Sequence, residues 1–408
     1  MKRATTWLMA GGAAMLAATT AAAQLLPRMP GLPVDIPGRA IGDTLAQGAA
    51  RVAEEAGRTL EQARRSTIAR LVRDHPDAIA LDPQGDPARA GEVVIDSPDE
   101  SLLTVAFARG YAMIERDDVL GVGFVRLRTP PGRSLKAAIA ELRKLGAAVS
   151  ADQLHAPSGR APAMAAPSGG IGPIVGVIDG GVAGAALSRG FASGAPRAND
   201  HGTAVASLIA GGRGIQGALP GARIAAADVY GSDPAGGNAT AIAKALGWMV
   251  EQRVPVVTIS LAGPANPTLA RVVAAAQARG LVIVAAVGNN GPAAPPAYPA
   301  SYPGVIAVTG VDARDRPLIE AGRAVHLDYA APGADMLAAG SDGRPRKVRG
   351  TSFAAPLVAG TIARFYPALA PGAIRPALAR VDAAAQKPGN RKNLGRGIVC
   401  KECRTPAQ

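Results

Sequence analysis

Ile171-Gly172-Pro173-Ile174-Val175-Gly176-Val177-Ile178-Asp179-Gly180 is an apolar run that stops at an aspartate followed by glycine. It reads as a strand buried on both faces, as strands of a parallel sheet between helices are. Strands are expected again at 222–229, 255–261, 281–287 and 304–311, with helices over 240–251 and 269–279 between them. That alternation predicts an α/β fold with a doubly wound, mostly parallel sheet. Ligands of open α/β sheets gather beyond the carboxyl ends of the strands, where Asp179 would sit. An aspartate there can equally make an Asx turn or a helix cap.

Three stretches downstream carry chemistry-bearing residues. Asn199-Asp200-His201-Gly202-Thr203 leads from a polar turn into a helix of small residues. His201 is one of four histidines and can serve as a base near neutral pH, or simply lie beside a cap. Ala286-Val287-Gly288-Asn289-Asn290-Gly291-Pro292 puts an amide in a glycine loop at a strand end. Asn289 there either tolerates a left-handed turn or donates to an oxyanion. Gly350-Thr351-Ser352-Phe353-Ala354-Ala355-Pro356 precedes a helix marked by Leu357, Val358, Ile362 and Phe365. Thr351 or Ser352 is expected to cap that helix, with Pro356 in its first turn. Ser352 is also a candidate nucleophile, which needs a base beside it and donors for the charge that develops.

Composition narrows the class. The chain has 408 residues, 48% of them hydrophobic, enough for two or three domains with ample core. A net charge of +13 would suit a nucleic-acid binder, but the arginines are scattered and only 3% of residues are aromatic. Nucleic acid is therefore not an expected partner, and anionic surfaces are at most a weak one. Cys400 and Cys403 are the only cysteines, so no disulfide framework holds the protein together. Two cysteines at that spacing make half a metal site, and in an exported chain a local disulfide is the expected state.

Met1-Lys2-Arg3, an apolar run over 7–16 and Ala21-Ala22-Ala23-Gln24 predict a signal peptide over 1–23, hence a secreted or periplasmic protein. An uncleaved anchor is the alternative, and no later stretch is long enough to span a membrane. Residues 24–90 read as a linker and an amphipathic helix over 43–73, with Glu54/Arg58 and Glu61/Arg65 spaced as ion pairs. Residues 91–157 follow the order β-α-β-β-α-β of a ferredoxin-like α+β unit. Ser97 is expected to cap its first helix, with Pro98 and Glu100 in the opening turn, and Ser134 its second. Residues 158–170, rich in Pro, Gly, Ala and Ser, read as a linker open to proteolysis.

Asp179, His201 and Ser352, with Asn289 between base and nucleophile, stand in the order and local frames of the subtilisin-like serine peptidases, the subtilases, which the chain resembles from 171 to 399. Residues 298–308 resemble the family's segment after the oxyanion loop, and 400–408 form a tail beyond the resemblance. The resemblance implies a secreted serine endopeptidase with an Asp179-His201-Ser352 triad, acting on polypeptides and made as an autoprocessed zymogen. It implies an oxyanion donor at Asn289. An extended substrate would lie between Ser260-Leu261-Ala262-Gly263 and Tyr230-Gly231, beside Gly288. The unit at 91–157 would be the chain's own propeptide, bound in cis, its end leaving through the groove from Val149 to His155. Ala204, Val287 and Ala262 depart from the family's usual residues, and Val287 and Ala262 are expected to narrow the specificity pocket. Asp179 and His201 lie 22 positions apart, which leaves little room for calcium-binding loops, so no cofactor and no calcium dependence is expected. A monomer is expected. The alternative is a non-catalytic secreted peptide-binding protein on a peptidase fold.

Overall fold

The computed structural model describes residues 38–159, 172–212, 214–387 and 393–407. The expected signal segment and most of the expected linker at 158–170 lie outside them. The chain divides into two units, Met1–Val52 and Ala53–Gln408, and every described strand belongs to the second. Helix α1 (Gly38–Asp74) runs into it. Its Glu61 pairs with Arg65 as the spacing predicts, and with Arg64 as well. Two hydrogen-bonded arginines hold the Glu61 carboxyl down at about 2.

An α+β layer follows. It comprises β1 (Ile79–Leu81), β2 (Pro87–Asp96), α2 (Glu100–Ala108), β3 (Ala112–Val119), β4 (Val122–Arg128), α3 (Leu135–Lys144) and β5 (Val149–Gln153). Across the antiparallel sheet the order is β5-β2-β4-β3, the split ferredoxin-like arrangement, with the short β1 added beside the start of β2. Leu103, Ala106, Leu135, Ile139 and Leu142 bring both helices onto Val93, Ile95 and Leu127. Ser134 caps α3 through the Ala137 amide. Ser97 does not cap α2. Its φ is 41° and its hydroxyl donates to the Gly123 carbonyl, so Asp99 accepts from the Leu102 amide instead. An ionised side chain two residues closer to the helix answers the orphan amides and the helix dipole together.

After β6 (Ala156–Pro157) comes the larger sheet. Its strands are β7 (Ile174–Asp179), β8 (Leu187–Gly190), β9 (Arg223–Asp228), β10 (Val256–Ile259), β12 (Val282–Ala286), β13 (Ile306–Val311) and β14 (Tyr329–Pro332). They lie in the order β14-β13-β12-β10-β7-β9-β8, every neighbour pair parallel. The two-residue strand β11 (Leu261–Ala262) leaves the end of β10. One face carries α4 (Asp200–Ala210), α7 (Ala355–Phe365) and α8 (Ile374–Ala384), and the other α5 (Ala239–Glu251) and α6 (Pro267–Ala278). From β7 the chain passes to the edge strand β8, returns to lay β9 between them, then crosses to β10 on the other side of β7 and builds strand by strand to the opposite edge. The β7/β10 junction is thus a topological switch point, where a crevice opens beyond the strand ends.

The remaining strands, β15 (Met336–Ala339) and β16 (Pro345–Val348), form a hairpin. The residues after Val399 pack against it: Leu337 N–H donates to Thr405 O, and Arg404 donates to the carbonyls of Ala334 and Asp312. Cys400 and Cys403, both buried, are joined in a disulfide.

The α+β layer sits on the starts of α5 and α6. Val94, Val119, Val122 and Phe124 join the apolar cluster around those helices. Asp152 accepts from the Thr240 amide (3.0 Å) and hydroxyl (2.7 Å), and Asp96 accepts from the Thr268 hydroxyl (2.6 Å). Two carboxylates thereby meet the amino ends of two helices, where the backbone dipole favours negative charge.

Candidate active site

Asp179 ends β7 and His201 lies in the first turn of α4, whose N-cap is Asn199, bonded to the Gly202 amide. Gly202 could not be larger, because a Cβ there would meet the Gly180 carbonyl at 2.2 Å. That close approach of α4 to the end of β7 puts His201 Nδ1 within 2.8 Å of both Asp179 carboxylate oxygens. Asp179 is fully buried and His201 nearly so. A buried carboxylate on Nδ1 fixes the ring's tautomer and leaves Nε2 as the working nitrogen. Nε2 is buried and has no hydrogen-bond partner.

Ser352 lies in a short 3₁₀ turn, Thr351–Phe353, ahead of α7. Neither Thr351 nor Ser352 caps α7, which has no side-chain cap. The 3₁₀ turn sets both residues apart from the helix, and the Thr351 hydroxyl donates to the Gly288 carbonyl at 3.1 Å instead. Pro356 does fall in the first turn of α7. Ser352 Oγ donates to the Ser260 carbonyl (2.8 Å), and Ser260 Oγ returns a bond to the Ser352 carbonyl (2.8 Å). The nucleophile–base hydrogen bond is not made in this conformation. Such bonds often tighten only when substrate is engaged.

The chain itself fills the crevice. Residues 154–159, which read from sequence as the last of one unit and the start of a linker, lie between two walls. On one side β6 pairs antiparallel with β11, Ala156 opposite Ala262 and Pro157 opposite Leu261, and Ser158 N–H donates to Ser260 O at 3.1 Å. On the other, His155 N–H donates to Gly237 O (2.9 Å) and the Tyr230 hydroxyl donates to His155 O (2.5 Å). Backbone-to-backbone pairing of this kind accepts many sequences. Gly231 takes no part: a Cβ there would strike Ser193 O at 2.2 Å, so it faces the 193–195 loop, and Gly237 serves this edge. Gly263 bonds Tyr298 through both backbone groups and lies flat against the His155 ring, which a Cβ would meet at 2.6 Å.

At the end of this segment the Ser158 carbonyl oxygen accepts from the Asn289 side-chain amide and from Ser352 N–H, the latter at 3.0 Å. Two donors on one carbonyl oxygen, beside a serine hydroxyl, form an oxyanion-binding pair. Asn289 is held for the task by its own oxygen, which accepts from Thr351 N–H at 3.1 Å. The Gly288 carbonyl, fixed by Gly322 N–H (2.7 Å), anchors the loop. Gly350, at φ 143°, brings the backbone so close that a Cβ would lie 2.5 Å from Ser158 O.

Burial shapes the electrostatics. His155 is about as buried as a residue can be, neither ring nitrogen has a partner at hydrogen-bonding geometry, and desolvation pushes its pKa down to about 4. Backbone groups of Gln153, Gly237 and Pro264 offset this only in part. Burial, helped by the charges of Asp179 and Asp228, raises the Tyr230 hydroxyl well above its ordinary value, so it stays a donor. Among the described residues one group gathers three potential metal ligands, Cys400, Glu402 and Cys403, and its thiols are joined in the disulfide.

Sequence alone singled out Asp179, His201, Asn289, Ser352 and the 260–263 wall, but not Ser158, Gly159, Gly237 or Phe353. The missed signal was local: Ala156-Pro157-Ser158-Gly159 has the extended, small-residue character a groove occupant needs.

Comparison with known proteins gives the same fold. Residues 170–397 match the sequence signature of the subtilase family. Subtilisin DY of Bacillus licheniformis is 31% identical over 244 residues, 55% of this chain and 88% of its own. The major intracellular serine protease of Bacillus subtilis is 36% identical over 174 residues, 40% of this chain and 54% of its own. Fervidolysin of Fervidobacterium pennivorans, a keratinolytic enzyme related to subtilisin, superposes with a TM-score of 0.65 at 19% identity, over 80% of this chain and 63% of its own.

Proposed function

Because this chain belongs to the subtilase family of serine peptidases, we propose that it is an exported serine endopeptidase made as a zymogen, whose first substrate is its own Ser158–Gly159 bond. The observation that carries this reading is the Ser158 carbonyl oxygen held by both Asn289 and the Ser352 amide.

The reaction starts with rotation of Ser352 Oγ away from Ser260 O towards the unpartnered Nε2 of His201. His201 takes the hydroxyl proton as Oγ adds to the Ser158 carbonyl carbon, and Asp179 steadies the imidazolium. Negative charge grows on the oxygen that already faces Asn289 and the Ser352 amide, where one such donor is worth on the order of 10²–10³ in rate. His201 then protonates the Gly159 nitrogen, the C–N bond breaks, and water hydrolyses the acyl-serine. The new end at Ser158 stays in the groove, so the α+β layer acts in cis as an inhibitor until it leaves. No helix among the described residues is long and apolar enough to cross a membrane, and export rests on residues 1–23.

A non-catalytic binding protein is the second reading, favoured by the Ser352 hydroxyl bonding Ser260 rather than His201. A fluorophosphonate probe separates the two. Labelling of Ser352 after processing, with peptide hydrolysis lost on Ser352→Ala, supports the peptidase. A processed, folded protein that never labels supports the binder.

A further inference from the structure

Immediately beyond Ser158, Gly159 is wedged against the residue that follows the nucleophile. A methyl group on Gly159 would lie 2.5 Å from Phe353 Cε2, 3.1 Å from Cζ and 3.2 Å from Ser352 Cβ. On its other side the Gly159 Cα would stand 2.7 Å from a Cβ on Gly350. A ring edge on an open surface would swing aside, but this one is held. Phe353 is fully buried, belongs to the apolar core beneath the sheet, and stacks at a tilt on His201 with ring centroids 5.4 Å apart. Moving the ring disturbs both the core and the base.

Resting on the proposed function, we propose that Phe353 makes this peptidase selective for bonds followed by glycine, both in its own chain and in other polypeptides. Overpacking a filled site by one methyl is enough to slow cleavage by at least about tenfold when the residue after the bond is alanine. The sequence supplies an independent pointer. Ala156-Pro157-Ser158-Gly159 is repeated, residue for residue, as Ala166-Pro167-Ser168-Gly169. The same selectivity makes Ser168–Gly169 a second cut in this chain, releasing the ten residues between and leaving Gly169 as the first residue of the mature peptidase.

The test uses the processed full-length protein and two quenched peptides, His-Ala-Pro-Ser-Gly-Arg and His-Ala-Pro-Ser-Ala-Arg, with the same pair run on Phe353→Ala and Phe353→Met. Expected is a glycine-over-alanine ratio in kcat/KM of at least tenfold for the natural enzyme, falling towards unity in either variant. The variants' absolute rates also drop, since Phe353 braces His201, so the ratio is the readout. In the full chain, Gly159→Ala slows processing by a similar factor, a readout that leaves Phe353 intact. Equal rates on the two peptides, an unchanged ratio in both variants, or a mature chain beginning at a residue other than glycine overturns the proposal. Absence of hydrolysis of either peptide, with no self-processing, overturns the peptidase reading beneath it.

Discussion

Acid should loosen the α+β layer from the peptidase through a single side chain, His155. In the groove its imidazole is buried against Gly263, neither ring nitrogen has a hydrogen-bond partner, and desolvation holds its pKa at about 4 against an ordinary 6.5. The docked state therefore wants the neutral ring. As pH falls below 6.5 the released segment takes up a proton that the docked one refuses, so affinity drops about tenfold per pH unit. The loss levels off near pH 4, where the docked ring protonates as well, at about 300-fold in total. His155→Leu keeps an apolar side chain and removes the titration. The processed complex of each protein is equilibrated at pH 7, 5.5 and 4 at fixed ionic strength. Size exclusion then gives the fraction of peptidase still carrying its amino-terminal fragment. Every other titrating group of the interface, the buried Asp152 among them, is common to both proteins, so the ratio of the two dissociation constants isolates His155. A ratio that stays constant from pH 7 to 4 would refute the reasoning.

Three substitutions probe the same geometry. Asn289→Ala leaves the Ser158 carbonyl with one donor and should slow self-processing on the order of 10²–10³-fold, measured as the decay of the full-length band. Gly350→Ala places a methyl 2.5 Å from Ser158 O at a φ of 143°, so the folded chain should fail to seat its own segment and remain unprocessed. Asp152→Ala takes from Thr240 the acceptor of its amide and one of the two acceptors of its hydroxyl, the other being Asn238 Oδ1, and should weaken docking by about 1–3 kcal/mol, seen as earlier release of free peptidase activity.

The reacting groups were legible in the sequence because each sits in a short frame whose backbone requirement is local. Asp179 ends an apolar strand, His201 opens a helix, and Asn289 stands in a glycine loop. The parallel sheet was legible for a similar reason: strands buried on both faces are continuous apolar runs. What escaped was fixed by partners distant in sequence. Strand β6 is two residues long and exists only because β11 receives it. Strand β8, Leu187–Gly190, has no apolar pattern of its own and is specified by pairing with β9. Ser97 looks like a cap by spacing, yet its φ of 41° and its bond to the Gly123 carbonyl tie it to the β3–β4 hairpin, and Asp99 caps the helix instead. The role of Phe353 could not be read at all without Gly159 against its ring.

The most direct measurement is the mass of the fragments from the natural chain and from Ser352→Ala, expressed and purified side by side. The natural chain should yield an amino-terminal fragment ending at Ser158, while Ser352→Ala stays intact. A fragment ending elsewhere, or the same Ser158 end in the Ser352→Ala protein, would contradict self-cleavage at this bond.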